Sequence, residues 1–154
     1  MHKLTASTAD IVEFSNMARK VSFFSQMTVG LLEKIFAFVM LFEYKKGEKI
    51  CKQGGPGDAF YLVYAGKLGV SIKKGFFSSA QKVAELGPGE FFGEMALLDK
   101  SPRTATVECE EDTKVFVLLA DHFNEVAKGN PEFTEYMKSL AAGRKFEQDQ
   151  QKNG

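Results

Sequence analysis

Gly93-Glu94, the helix formers Met95-Ala96-Leu97-Leu98 and a lone Arg103 after the Ser101-Pro102 turn form the stretch whose residue types point to ligand chemistry. Glu94 to Leu98 is long enough for about one and a half helical turns, so its first N–H groups lack partners inside the helix. Those donors, with the helix dipole, favour an anion, and Gly93 lets the backbone approach it because it has no Cβ. Arg103 adds a permanent charge and a planar fork that matches phosphate oxygens. Glu94 would repel a phosphate, but it suits the hydroxyls of a ribose, which donate to a carboxylate. Phosphate plus ribose implies a nucleotide. The plain alternative is an ordinary short helix followed by an arginine that keeps an edge strand soluble.

The elements around this stretch change period along the chain. Residues 1–8 are polar and read as loose. From Thr8 or Asp10, the residues Ile11, Val12, Phe14, Met17, Ala18 and Val21 recur at helical spacing. Phe23 to Met27 break that pattern, and Thr28 is placed to cap a second helix from Val29 to about Phe38. From Leu41 the period becomes two. Strands are expected over Met40–Tyr44, Lys49–Lys52, Phe60–Tyr64, Lys67–Lys73, Ala80–Leu86, Thr104–Glu110 and Thr113–Leu119, with glycine-rich corners between them. Short strands at regular spacing argue for a β-sandwich or small barrel. Phe76-Phe77 mark a hairpin tip and are either a partner surface or folded back on the sheet. Past Leu119 the helical period returns. Asp121 is placed to cap one helix, and Asn130-Pro131 to start another that carries Phe133, Tyr136, Met137 and Leu140.

Composition bounds the class. The chain has 154 residues, 44% of them hydrophobic and 26% charged, with a formal net charge of zero. It reads as a single globular domain, 1–154, divided into a helical part at 1–38, a β part at 39–119 and C-terminal helices at 120–148. No basic stripe points to nucleic acid, no run approaches the roughly 20 apolar residues of a membrane span, and no secretory leader is visible. A cytoplasmic location is expected. Cys51 and Cys109 lack metal or redox spacing and read as reduced thiols. His2 and His122 are too few for a histidine-based metal site, and no nucleophile elbow occurs, so no metal, no cofactor and no catalytic residues are expected. The chain does not read as an enzyme.

The string FGEMALLDKSPRTATV resembles the phosphate-binding cassette of the cyclic nucleotide-binding domain family, which includes the catabolite activator protein, kinase regulatory subunits and gated channels. Phe92, Gly93, Glu94, Ala96, Leu97, Arg103, Thr104, Ala105 and Val107 stand where that pattern puts them. The upstream run KKGEKICKQGGPGDAFYLVYAGKLGV is similar to the family as well, through Gly47, Gln53, Gly54, Asp58, Phe60, Tyr61 and Gly66. The resemblance implies a mainly β fold: an eight-stranded antiparallel β-roll (a jelly roll, or double-stranded β-helix) with N-terminal helices and two C-terminal helices. It places the cassette at 91–107.

What the resemblance implies about function is a sensor for cyclic AMP or cyclic GMP. Phe92, Gly93, Glu94, Met95, Ala96, Arg103, Thr104 and Ala105 would line the ligand, the phosphate on Arg103 and the ribose 2′-hydroxyl on Glu94. Thr104 resembles the guanosine-preferring members, although some members with a hydroxyl there prefer cyclic AMP, and cyclic AMP is the expected ligand. The C-terminal helix would close over the base, with Tyr136, Met137, Leu140 and Arg144 as lid candidates. The stretch after Arg144 is too short for a DNA-reading module, and neither a second binding domain nor a pseudosubstrate run is seen. The output is therefore expected to act on a partner in trans or through self-association. The alternative is a ligand-free interaction module of the same fold.

Overall fold

The computed structural model describes residues 1–25, 27–75, 78–98, 101–131, 134–136 and 138–139. The chain opens with a short strand, β1 (His2–Leu4), that pairs antiparallel with the strand at Met40–Tyr44 through His2↔Glu43 and Leu4↔Leu41. The expectation of a loose start is corrected there. Polar side chains do not prevent an edge strand, because its ladder is made by the backbone. Helix α1 (Thr8–Ala18) begins at Ser7, whose hydroxyl accepts from the Asp10 N–H while the Asp10 carboxylate accepts from the Ser7 N–H. This is a capping box with aspartate in place of the usual glutamate. Phe14 and Ala18 are the buried face of α1, whereas Ile11 and Val12 are 48% and 54% exposed.

Ser22–Ser25 forms a further short helix, α2, where the helical spacing of apolar residues breaks. Helix α3 (Val29–Phe36) starts at Thr28, whose hydroxyl accepts from the Leu31 N–H at 3.3 Å. The roll follows: β2 (Met40–Tyr44), β3 (Lys49–Cys51), β4 (Ala59–Ala65), β5 (Leu68–Ile72), β6 (Gln81–Leu86), β7 (Phe91–Phe92), the five-residue helix α4 (Glu94–Leu98), β8 (Thr106–Cys109) and β9 (Thr113–Leu119). Helix α5 (Ala120–Lys128) follows β9. It starts straight off β9, with Leu119 at the cap position and no side-chain cap bond, so Asp121 sits inside the first turn rather than capping it. Pro131 and residues 134–136 are again helical.

The strands form two sheets, in the orders β1-β2-β9-β4-β7 and β3-β8-β5-β6. Among the described residues, β2 to β9 make the expected antiparallel roll, and β1 extends one sheet. β7 has two residues, too few to show alternation in the sequence.

Alternation along β4 and β9 divides the core in two. Phe60, Leu62, Phe116 and Leu118 face a cluster shared with Phe14, Phe24, Ile35 and Phe123 from the helices. Ala59, Val63, Val115 and Val117 face the other way, into the roll, with Leu68, Val107 and Cys109. Both faces of these two strands are therefore buried, which is why AFYLVYA and TKVFVLL read as continuous apolar runs. Phe60 is 1% exposed and meets Phe24 edge-on at 5.2 Å. Burying a ring of that kind contributes about 1.5–3 kcal/mol. Among the described residues no helix is long and apolar enough to cross a membrane.

Candidate functional site

Arg103 enters the roll between two glycines of the preceding turn. Its N–H donates to the Gly55 carbonyl at 2.9 Å, and its own carbonyl accepts from the Gly54 N–H at 2.7 Å. This pair fixes the arginine backbone before any side-chain contact is made. Next to it, Gly57 lies so close to the Ser101 carbonyl that a Cβ would sit 2.1 Å from the oxygen. The Gly54–Asp58 turn, read from sequence as a plain corner, is thus the bracket that carries the cassette's second half.

The side chain of Arg103 points to β4. One terminal N–H donates to the Ala59 carbonyl, and the guanidinium carbon lies 5.7 Å from the centre of the Tyr61 ring. Nε is buried and has no hydrogen-bond partner among the described residues. An unmet buried donor costs about 1–3 kcal/mol, more on a charged group. Tyr61 and the half-buried Cys51 both feel the arginine: burial pushes each group's pKa up, and the Arg103 charge partly offsets that. The Cys51 thiol contacts the Ala105 carbonyl at 3.8 Å. Arg103, Tyr61 and Cys51 therefore share one compartment inside the roll.

Gly93 closes the compartment from the other strand of the cassette. Its φ is +83°, and a Cβ there would lie 2.5 Å from both the Ala59 carbonyl and an Arg103 terminal nitrogen. The close approach seen at Gly93 is to the arginine and the Ala59 carbonyl. Phe92, just before it, stacks on Tyr61 at 4.7 Å and 13°. Glu94 is half-buried at the start of α4. Ala96 and Leu97 are each 4% exposed, and Leu97 packs in the helix-side cluster with Phe60 and Phe123. The Ala96 N–H donates back to Gly93 at 3.0 Å, closing a tight first turn.

Thr104 is exposed, and Ala105 half-buried, just ahead of β8. The structure thus gathers Phe92, Gly93, Arg103 and Ala105 around the roll interior, with Thr104 at its edge. Met95 is helical, and its side chain lies outside the described set, as do Phe76, Phe77, Met137, Leu140 and Arg144. Tyr136 is half-buried and packs against the helix-side cluster. Sequence reasoning missed Gly55, Ala59 and Tyr61 as neighbours of the arginine. The signal for Tyr61 was its place two residues past Ala59 on a strand whose alternate residues face inward.

The description of the family model that matches residues 41–130 is the cyclic nucleotide-binding domain. The chain belongs to the cyclic nucleotide-binding domain family. Members of this family are regulatory or sensory domains rather than catalytic ones. Over 116 residues the chain is 34% identical to the cGMP-dependent protein kinase, isozyme 2 forms cD5/T2, of Drosophila melanogaster, a match spanning 74% of this chain and 12% of that protein. Over 85 residues it is 41% identical to the cAMP-dependent protein kinase regulatory subunit of Dictyostelium discoideum, spanning 54% of this chain and 26% of that protein. The chain thus spans a minor part of the length of these relatives.

Solved structures of cyclic nucleotide-binding domains share the roll. The regulatory domain of Toxoplasma gondii PKA with cAMP superposes with a TM-score of 0.73 at 23% identity, covering 91% of this chain and 51% of that one. The Thermus thermophilus catabolite activator protein gives 0.67 at 29% identity, covering 85% and 61%. The fold expected from the cassette is the fold of these neighbours.

Proposed function

We propose that this domain binds cyclic AMP or cyclic GMP with its phosphate on Arg103, and that binding is passed through the C-terminal helices to a partner in trans or to a second copy. The observation that carries the reading is the Arg103 side chain: a permanent cation turned into the roll, with a buried Nε that has no partner among the described residues. A cyclic phosphate offers that donor an oxygen, and charge-assisted bonds of this kind are the strong ones. Glu94 would accept from the ribose 2′-hydroxyl. Thr104, at the rim, would reach the phosphate and the amino group of a guanine. Gly93 keeps the backbone clear of the arginine.

The likeness to cyclic-nucleotide-dependent kinases supports this ligand class. Signal output would be a population shift: the ligand favours whichever position of the C-terminal helices gives it more contacts. Tyr136 already packs against the helix-side core, and Met137, Leu140 and Arg144 follow it in sequence as lid candidates.

One observation favours the other reading, a ligand-free interaction module. Arg103 already donates to the Ala59 carbonyl, so part of its hydrogen-bonding capacity is met within the fold. Titration with 2′-deoxy analogues separates the two. A sensor binds the parent nucleotide and loses affinity when the 2′-hydroxyl is removed, whereas an interaction module binds neither.

A further inference from the structure

We propose that Tyr61 is a positioning residue for the phosphate-binding arginine: its ring, itself stacked with Phe92, holds the Arg103 guanidinium inside the roll. The inference rests on the nucleotide reading for its consequence, but its geometry stands without it. Tyr61 and Phe92 are paired residues on β4 and β7, and their rings stack almost parallel at 4.7 Å and 13°. The guanidinium carbon lies 5.7 Å from the centroid of the Tyr61 ring, within the range of about 6 Å where a cation is attracted to an aromatic face.

The same strand supplies the second contact. Ala59, two residues before Tyr61 and on the same side of β4, accepts from the arginine's terminal N–H. β4 therefore offers the guanidinium a carbonyl and a π-face. The carbonyl uses one N–H donor, and the ring face uses none, which leaves the fork available to phosphate oxygens. Burial pushes the Tyr61 phenol up, with the Arg103 charge offsetting part of that. The ring is accordingly neutral near pH 7 and acts through its face rather than as a phenolate.

The experiment is a set of variants read two ways. Tyr61→Phe keeps the face, while Tyr61→Leu and Tyr61→Met remove it; thermal unfolding selects the variants that fold. The first readout is cyclic AMP and cyclic GMP affinity. Tyr61→Phe is expected within about twofold of wild type and the non-aromatic variants about tenfold weaker. The second readout needs no ligand. The Nε–H proton resonance of Arg103, assigned by its loss in Arg103→Lys, is expected to be ring-shifted in wild type and Tyr61→Phe and to lose that shift in Tyr61→Leu or Tyr61→Met. A folded non-aromatic variant with wild-type affinity and an unmoved resonance overturns the proposal, as does a Tyr61→Phe variant as impaired as the leucine one. If the resonance moves as expected while wild-type protein binds neither nucleotide, the positioning role stands and the nucleotide reading falls.

Discussion

Arg103 donates to the carbonyl of Ala59, and the carbonyl one residue earlier, that of Asp58, accepts from the Ala120 N–H at 2.9 Å. Ala120 is the first residue of α5. The carbonyl that meets the Arg103 guanidinium and the carbonyl that holds the start of α5 therefore belong to consecutive peptide units where β4 begins. Leu97 of the cassette helix adds a second link, because it packs in one cluster with Phe123 of α5. A phosphate bound by the remaining donors of that guanidinium acts next to the start of α5. The expected outcome is that cyclic nucleotide changes hydrogen exchange at the Ala120 amide in wild-type protein and leaves it unchanged in Arg103→Ala. Equal exchange with and without ligand in wild-type protein would break this link.

Arg103→Lys keeps the charge and removes the planar fork. Affinity for either cyclic nucleotide is expected to fall about 10- to 100-fold, read by titration, with the unfolding temperature showing that the roll persists.

Gly93→Ala tests the close approach. At φ +83° an alanine is strained by about 1–2 kcal/mol, and its Cβ would press on the Ala59 carbonyl and Arg103. Both stability and ligand affinity are expected to drop, measured by denaturant unfolding and by titration of the folded fraction. A variant with unchanged affinity would place the arginine's working position elsewhere.

Thr104→Ala tests the choice of base. Cyclic GMP is expected to weaken by about 3- to 10-fold, the value of one neutral hydrogen bond, on top of whatever loss cyclic AMP shows. Equal losses for the two ligands would confine Thr104 to the phosphate.

Acid sensitivity has a local source at the front of the chain. Asp10 accepts from the Ser7 N–H at 2.8 Å and from the Tyr64 hydroxyl at 2.8 Å. Those bonds hold its carboxyl below the usual range. A carboxyl depressed in the folded state contributes stability that is present above its unfolded pKa of about 3.9 and is lost as pH falls through the folded value. Asp10→Asn is therefore expected to lower stability at pH 7 and to flatten the decline on the acid side of pH 4, as followed by thermal melts across pH.

How far the sequence led is visible residue by residue. The roll could be read because β4 and β9 bury both faces and glycines stand in most of the turns between the other strands, and Thr28 was legible as a cap because its hydroxyl sits three residues ahead of the Leu31 N–H. The strand at His2–Leu4 was not legible, since backbone pairing to β2 leaves no mark on side-chain type. The capping box at Ser7 was missed because aspartate stands where the common pattern has glutamate or glutamine. At the site, Gly93 and Arg103 were legible as chemistry, but Tyr61 and Ala59 were not. They lie more than 40 positions before the arginine, and only the fold of β4 onto the cassette brings them to it.

The most direct measurement is calorimetric titration of unfolded and refolded protein, stripped of any carried nucleotide, with cyclic AMP and cyclic GMP, with Arg103→Ala alongside. Saturable binding of at least one nucleotide by wild-type protein, and its loss in the variant, is expected. No heat with either nucleotide from protein shown to be folded, or equal binding by Arg103→Ala, would contradict it.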